Sequence, residues 1–583
     1  VPGTTRLSAA ATGTGVVLLV IPTLYLLQLE RSWSGVGLSV LVISAIWLWA
    51  LALVDRIGLA SLLTGSLLLV IIAAAALKSN LVKQPLLITD FFFLSEQLPA
   101  NLTILRRYPE MTVKVAISAL VMAVAFAALI RTERRTNLGR RFGNVLPRVG
   151  AAGAGMLIIP LAVNFDGAGA ESSLHDPAGE VREGWQFLAE PGNVMSRLVL
   201  SVRTMRVTAP PRRFSGRDTK DNPFVPSDSP GSSGARNATQ YPDIIIWHDE
   251  STVDPSILEA CSVPECRVGL FQPTADTLSA GLLRVHTFGG LSCTAEFALM
   301  TGLNSQTFGP GGLYAPFTLA PRIAYSMPRL LRQYGYRTVA LYPNVRDFLN
   351  AANAYRHYGF DEFYAAEDLR LPTKPSQLTD RVMYQEMARL LEAHRGRPIL
   401  LYVLTQYQHG PHNQPVERLP EPFRSLRLAG LNSGEQTSLT NYLYRLHLTD
   451  EVIADTERTF LRNGHSRKMV FLHYGDHQPS LDGFMPGLAK RGLDHLPAAI
   501  RHYVTHFNLK ANFPGVSGES HEYLDISLLG SLVLDAADVP KDSFFAANSR
   551  LRRLCGGKYL DCPDRDLVDR YHDYIFYDLK ALR

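Results

Sequence analysis

Three short runs in this sequence hold residues that can do chemistry together. His248-Asp249-Glu250-Ser251 follows the apolar run D-I-I-I-W, T-Q-Y-Q-His409-G-P-His412 follows Ile399–Leu404, and His473-Y-G-Asp476-His477 follows Met469–Leu472. A lone histidine at such a place is ordinarily a cap. Glu, His and Asp-His supplied by separate strand ends instead suit one cation held by carboxylate and imidazole ligands. A fourth run, Val285–Gly302, places Ser292, Cys293 and Thr294 behind a Gly-Gly pair and directly ahead of the helix-forming A-E-F-A-L-M. A small nucleophile there faces unpaired N–H groups and the positive end of the helix dipole, which favours an anionic substrate and a deprotonated side chain. The plainer role of such residues is an N-cap. Adding the Thr294 hydroxyl to Glu250, Asp476 and His477 gives an oxygen-rich set with one nitrogen, suited to a single Mn2+ or Zn2+, with Mg2+ after them. No H-E-x-x-H, Walker A or G-x-S-x-G motif competes with this reading.

The elements that must position these residues alternate. Strand patterns at Pro242–Trp247, Thr338–Tyr342, Ile399–Leu404 and Met469–Leu472 are separated by helical patterns at Ala295–Thr301, Met327–Tyr334, Thr379–His394 and Tyr442–Arg462. This predicts an α/β domain with a mainly parallel sheet, in which function collects at the carboxyl ends of the strands.

The first third of the chain has a different character. Thr12–Leu29, Val36–Val54, Ile57–Leu77, Val113–Ile130 and Leu146–Phe165 are nearly uncharged and about as long as a bilayer requires, which predicts five transmembrane helices. The basic stretch Arg131–Arg141 predicts a cytoplasmic loop after the fourth. The N-terminus is then inside, and both Lys78–Met111 and everything after the fifth span are outside, although Lys78, Lys83, Arg106 and Arg107 count against that loop. Its mixture of aromatic, apolar and charged residues predicts a segment lying in the membrane interface.

The expected division is a membrane domain at 1–165, a juxtamembrane segment at 166–241 and an extracytoplasmic domain at 242–583. Within the middle segment, Asn193–Val207 reads as an amphipathic helix, lying in the interface or packed on the globular domain. Ala209–Gln240, rich in Pro, Ser and Gly, reads as a flexible tether. The formal charge of +5 is dispersed, which argues against a nucleic-acid partner. The outside location makes disulfides Cys261–Cys266 and Cys555–Cys562 the expectation, with Cys293 free; five reduced, buried cysteines is the other reading.

The order strand-Glu-Ser, then Thr followed by A-E-F, then His-G-P, then Y-G-Asp-His resembles the alkaline phosphatase/sulfatase superfamily. Within it, the similarity is to the membrane branch of lipoteichoic acid synthases and periplasmic phosphoglycerol or phosphoethanolamine transferases. The apolar spans, the K…P-L…D loop and M-P-R-L-L-R-Q-Y-G-Y-R-T…Y-G-F-D-E-F-Y within Met327–Tyr364 are similar to that branch as well. The resemblance implies Thr294 as nucleophile, Glu250, Asp476 and His477 as metal ligands, and His409 at the substrate; His412 is a further substrate-binding candidate. His473 and His521 read as structural.

Where lipoteichoic acid synthases carry H-G-N…F-W-N-R, this chain has Tyr342-Pro343-Asn344-V-R-D-Phe348-L-Asn350. Asn344 and Arg346 become the substrate-binding candidates of that segment, and the head group is left open. The sulfatase formylglycine motif C-x-P-x-R is absent, since Cys293 is followed by T-A-E-F. The resemblance thus implies head-group transfer, phosphoglycerol first, from a membrane phospholipid through a phospho-threonine to an external glycan or glycolipid, in a bacterial plasma membrane. Alternatives are a phosphoethanolamine transferase, a phosphodiesterase or sulfatase-like hydrolase, and an inactive membrane-bound glycan-binding relative.

Overall fold

The computed structural model describes residues 2–30, 32–82, 86–88, 90–91, 109–133, 150, 152–153, 193–201, 209–214, 222–226 and 241–583, the last without 373–376, 395, 463–466 and 515–520. The chain forms two compact units, Val1–Arg206 and Val207–Arg583.

The first unit contains α1 (Pro2–Leu29), α2 (Trp33–Val54), α3 (Ile57–Val82), α4 (Pro109–Thr132) and the short α5 (Val194–Leu200). Among the described residues three segments are long and apolar enough to cross a membrane: Thr12–Leu29, Trp33–Val54 and Ile57–Ala76. Of the five expected spans, three are thus found among the described residues. Val113–Ile130 lies within α4, whose apolar part, Leu120–Thr132, falls short of a span. Leu146–Phe165 lies almost wholly outside the described residues, as does most of Lys78–Met111.

Helices α1 and α3 touch backbone to backbone. A Cβ on Gly15 would stand 2.3 Å from the Gly58 carbonyl oxygen, and one on Gly65 would stand 2.2 Å from that of Leu18. Only glycine permits this approach. Carboxylates finish both ends of the unit by supplying acceptors to helix N-termini, whose first N–H groups lack partners. Glu133 accepts from Gly58 N at 2.6 Å, Leu59 N at 2.8 Å and Thr12 Oγ1 at 3.0 Å. At the other end Glu30 accepts from Met195 N at 3.0 Å and Ser196 Oγ at 2.5 Å. The described part of the amphipathic segment, α5, thus packs on α1 and α2.

The second unit is built on an eight-stranded sheet: β1 (Asp243–Asp249), β2 (Thr277–Arg284), β3 (Arg337–Leu341), β4 (Glu362–Tyr364), β5 (Ile399–Leu404), β6 (Met469–Gly475), β7 (Val504–Ala511) and β8 (Leu524–Asp525), in the order β4-β3-β5-β1-β6-β7-β2-β8. All run the same way except β7, which pairs antiparallel with both β6 and β2. The mainly parallel sheet is as expected. Side chains of β1 alternate between two cores, Ile244 and Ile246 on one face, Ile245 and Trp247 on the other, which explains its unbroken apolar run. Helices α6 (Ser292–Thr301) and α8 (Ile526–Ala536) pack together in the second unit, and α7 (Ser433–Thr456) contributes Tyr442 and Leu446 to the core with Trp247.

Cys261–Cys266 and Cys555–Cys562 are disulfides with Cα separations of 5.5 and 5.3 Å, and Cys293 is free and buried. The described parts of the expected tether are bound rather than free. Arg213 N and Phe214 N donate to Asp573 at 3.0 and 2.7 Å, and Asn222 Nδ2 donates to the Arg570 carbonyl at 2.8 Å.

Candidate metal and nucleophile site

Because β5, β1 and β6 are neighbours, their carboxyl ends bring the predicted runs side by side. Glu250, Asp476 and His477 are all buried, and each offers a ligand atom within 4.8 Å of the others. His477 Nε2 lies 3.2 Å from Glu250 Oε1 and 3.4 Å from Asp476 Oδ2. The other Asp476 oxygen, Oδ1, is occupied by the N–H groups of Ser251 at 2.8 Å and His477 at 2.7 Å. Asp476 Oδ2 and His477 Nε2, by contrast, are buried without a hydrogen-bond partner. Orphaned polar atoms that converge in this way fit a divalent cation, and two carboxylates with one imidazole fit Zn2+ or Mn2+. Burial alone would raise the Glu250 carboxyl, but the neighbouring His477 outweighs it and brings it down to about 2. Burial would likewise lower His477, yet Asp476 and Glu250 push it up to about 9. The carboxylates therefore draw positive charge to this point, and a metal ion competes with that proton.

Helix α6 starts at Ser292, preceded by Leu291 in the left-handed region with φ 63°. A leucine rarely adopts that conformation, and its occurrence beside a reactive group is backbone strain held in place by its surroundings. The turn aims Ser292 Oγ at Glu250 Oε2, 2.7 Å away. Thr294 does not share this position. It is fully buried, and its Oγ1 donates back to the Leu291 carbonyl at 3.0 Å. Successive helical residues are rotated by about 100°, so residues two apart in α6 face nearly opposite ways. The hydroxyl that reaches the carboxylate is Ser292, which the sequence offers only as one of three adjacent small residues. Its signal is its place as the first residue of the helix. Cys293 is no rival, because burial, followed by the charge of Glu296, pushes its thiol well up.

His409 is exposed, and its charge is among the lesser influences that lower the Glu250 carboxyl. Three other substrate candidates are placed differently. His412 is buried, its Nε2–H donating to the Gln408 carbonyl at 2.9 Å and its ring set edge-on to Tyr442. Arg346 is committed to Asp368 and lies over the Phe363 ring. Asn344 is buried, its carbonyl accepting from Ala366 N at 3.0 Å, and among the described residues no hydrogen bond ties it to Glu250 or Ser292.

Two buried histidines support the cluster from behind. His248 Nε2 stands 3.1 Å from Asp476 Oδ2, with its Nδ1 at 2.5 Å from Tyr402 Oη and 2.9 Å from Tyr474 Oη. His473 pairs with Asp249, which also accepts from Trp247 Nε1 at 2.7 Å. The sequence displays both histidines, but not which carboxylate each one meets.

The Sulfatase family model matches residues 271–514, a span that holds Ser292, Asp476 and His477. That stretch of the chain is thus sulfatase-like. An uncharacterized protein of Haemophilus influenzae is 28% identical over 63% of this chain and 66% of its own length. The lipoteichoic acid synthase of Staphylococcus aureus is 24% identical over 33% of this chain and 28% of its own. The chain thus spans less than two thirds of the length of these relatives. A solved lipooligosaccharide phosphoethanolamine transferase A from Neisseria meningitidis, an integral membrane protein, aligns with 91% of this chain and 95% of its own at 12% identity and a TM-score of 0.47.

Proposed function

We propose that this sulfatase-like chain is a metal-dependent transferase that moves a phospholipid head group, phosphoglycerol first, to a hydroxyl of a glycan or glycolipid outside a bacterial plasma membrane. The observation that carries the reading is the 2.7 Å contact of Ser292 Oγ with Glu250 Oε2 at the start of α6. It sets a nucleophile at a helix N-terminus beside a cation-binding cluster, as attack on a phosphodiester requires. The apolar helices of the first unit supply the bilayer, and the basic Arg131–Arg141 stretch supports a cytoplasmic N-terminus with the second unit outside.

In this mechanism Glu250, Asp476 and His477 hold the cation. When bound, it lowers the pKa of a coordinated hydroxyl and offsets phosphoryl charge. Ser292 Oγ, its proton already released to solvent, forms a bond to the lipid phosphorus as the bond to the diacylglycerol oxygen breaks. The positive end of the α6 dipole favours the developing charge. His409 gives a proton to the departing oxygen and later takes one from the acceptor hydroxyl. That acceptor oxygen then forms its bond to phosphorus while the Ser292 ester bond breaks, restoring the side chain. The experiment is to incubate membranes holding the protein with head-group-labelled phosphatidylglycerol or phosphatidylethanolamine, and to locate the label by mass spectrometry. Glycerol phosphate on Ser292 and then on a glycan is the expected result. Ethanolamine phosphate would change the donor, release to water would make the chain a hydrolase, and no turnover would leave a binding protein.

A further inference from the structure

The segment from Thr405 to Gln414, which carries His409, is irregular and is gripped by one stripe of α7. Asn441, Arg445 and Thr449 recur every four residues and so share a face of that helix. Asn441 Nδ2 donates to the Gln414 carbonyl at 2.8 Å, and Thr449 Oγ1 accepts from Gln408. Between them Arg445 gathers three carbonyls. Its Nη1 donates to Tyr407 at 3.1 Å and His409 at 2.9 Å, and its Nη2 to Pro411 at 2.8 Å. A planar fork with fixed donor directions sets the spacing of those carbonyls in a way that one ammonium cannot.

Within the clamped turn His409 Nδ1 bonds to the Gly410 carbonyl at 2.8 Å. A carbonyl only accepts, so Nδ1 carries the hydrogen and Nε2 is the nitrogen left to meet a substrate. We infer that Arg445 is a positioning residue, fixing the Tyr407–Pro411 backbone so that His409 presents Nε2 to the substrate. The inference rests on the proposed role of His409. It assigns to α7 a part in the reaction although Arg445 itself touches no reacting atom.

The test uses the full-length protein in lipid nanodiscs with labelled phosphatidylglycerol. R445A and R445K should each lower kcat about tenfold to a hundredfold, within the range of a misplaced acid–base group, with KM nearly unchanged. Amide exchange should accelerate at 406–410 and not in α7. In an H409A background R445A should add no further loss, and guanidinium ion should partly restore R445A but not H409A. Should R445A fail to fold, R445K, which keeps the charge and loses the fork, decides by the same readouts. Wild-type kcat in the Arg445 variants, or a loss that multiplies with that of H409A, overturns the inference. Unimpaired turnover in both H409A and S292A marks a different failure, that of the proposed site itself.

Discussion

Ser292 and Glu250 stand forty-two residues apart in the chain, yet their side chains meet at 2.7 Å, hydroxyl to carboxylate. One comes from the first turn of α6 and the other from the end of β1, so the contact joins the anion-facing end of a helix to the cation-facing end of a sheet. The surroundings of each residue favour the chemistry of the other.

The clearest consequence concerns which hydroxyl reacts. S292A should reduce head-group turnover by about a thousandfold or more and abolish the covalent adduct, as loss of a nucleophile does. T294A should keep the adduct on Ser292 and lose only modest thermal stability, because it removes a buried hydrogen bond worth about 1 kcal/mol. Peptide mapping of the trapped adduct checks both, and a dead T294A beside an active S292A would reverse the assignment.

Metal addition should stabilise the protein. A ligand at a hundred times its Kd adds about 2.7 kcal/mol to the folded state, so the melting temperature of chelator-treated protein should rise on adding Zn2+ or Mn2+. D476N and H477Q should lose both that rise and the activity. An unchanged rise in either variant would place the ion elsewhere.

Acid should destabilise the second unit through histidines that are buried and neutral. Burial, followed by the charge of Arg445, lowers His412 to about 3, and burial lowers His572 to about 4. A group depressed below its unfolded value near 6.5 contributes fully above that value, and loses the contribution as pH falls toward its folded value. Stability should therefore drop below about pH 6.5, by up to about 1.4 kcal/mol per pH unit for each histidine. Denaturant midpoints across this range should show the fall, and H412N should make it shallower. A profile unaffected by H412N would exclude this histidine as a cause.

Thiol titration of denatured, unreduced protein should find one cysteine, Cys293. Replacing Cys555 and Cys562 by serine should cost about 2 kcal/mol, the closure entropy of a loop of this size. Five titratable thiols would contradict the pairing.

The parallel centre of the sheet was legible because strands buried on both faces read as unbroken apolar runs, as in D-I-I-I-W and I-L-L-Y-V-L. Strand β7 was not. V-T-H-F-N-L-K-A alternates like a half-exposed strand, yet it is buried throughout, with Lys510 paired to the equally buried Glu457. Pairing partners distant in sequence make such a strand possible, and local pattern does not display them. The carboxylates and His477 were legible from their places at strand ends. The choice between Ser292 and Thr294 turned on helical rotation beginning at one particular residue, and the sequence leaves that start ambiguous by a residue or two. Asn344, Arg346 and His412 were polar residues near a promising motif. The side chains of Arg346 and His412 meet Asp368 and Gln408, within twenty-two residues of them, so local structure engages both.

The central place of β1 has a consequence for when the protein can act. Its neighbours on either side, β5 and β6, begin at residues 399 and 469, and the last cation ligands follow at 476 and 477. A growing polypeptide that has passed Ser292 still has nearly two hundred residues to add before that serine can become reactive. Until those residues are made and such distant pairings have formed, the cluster beside Ser292 is incomplete.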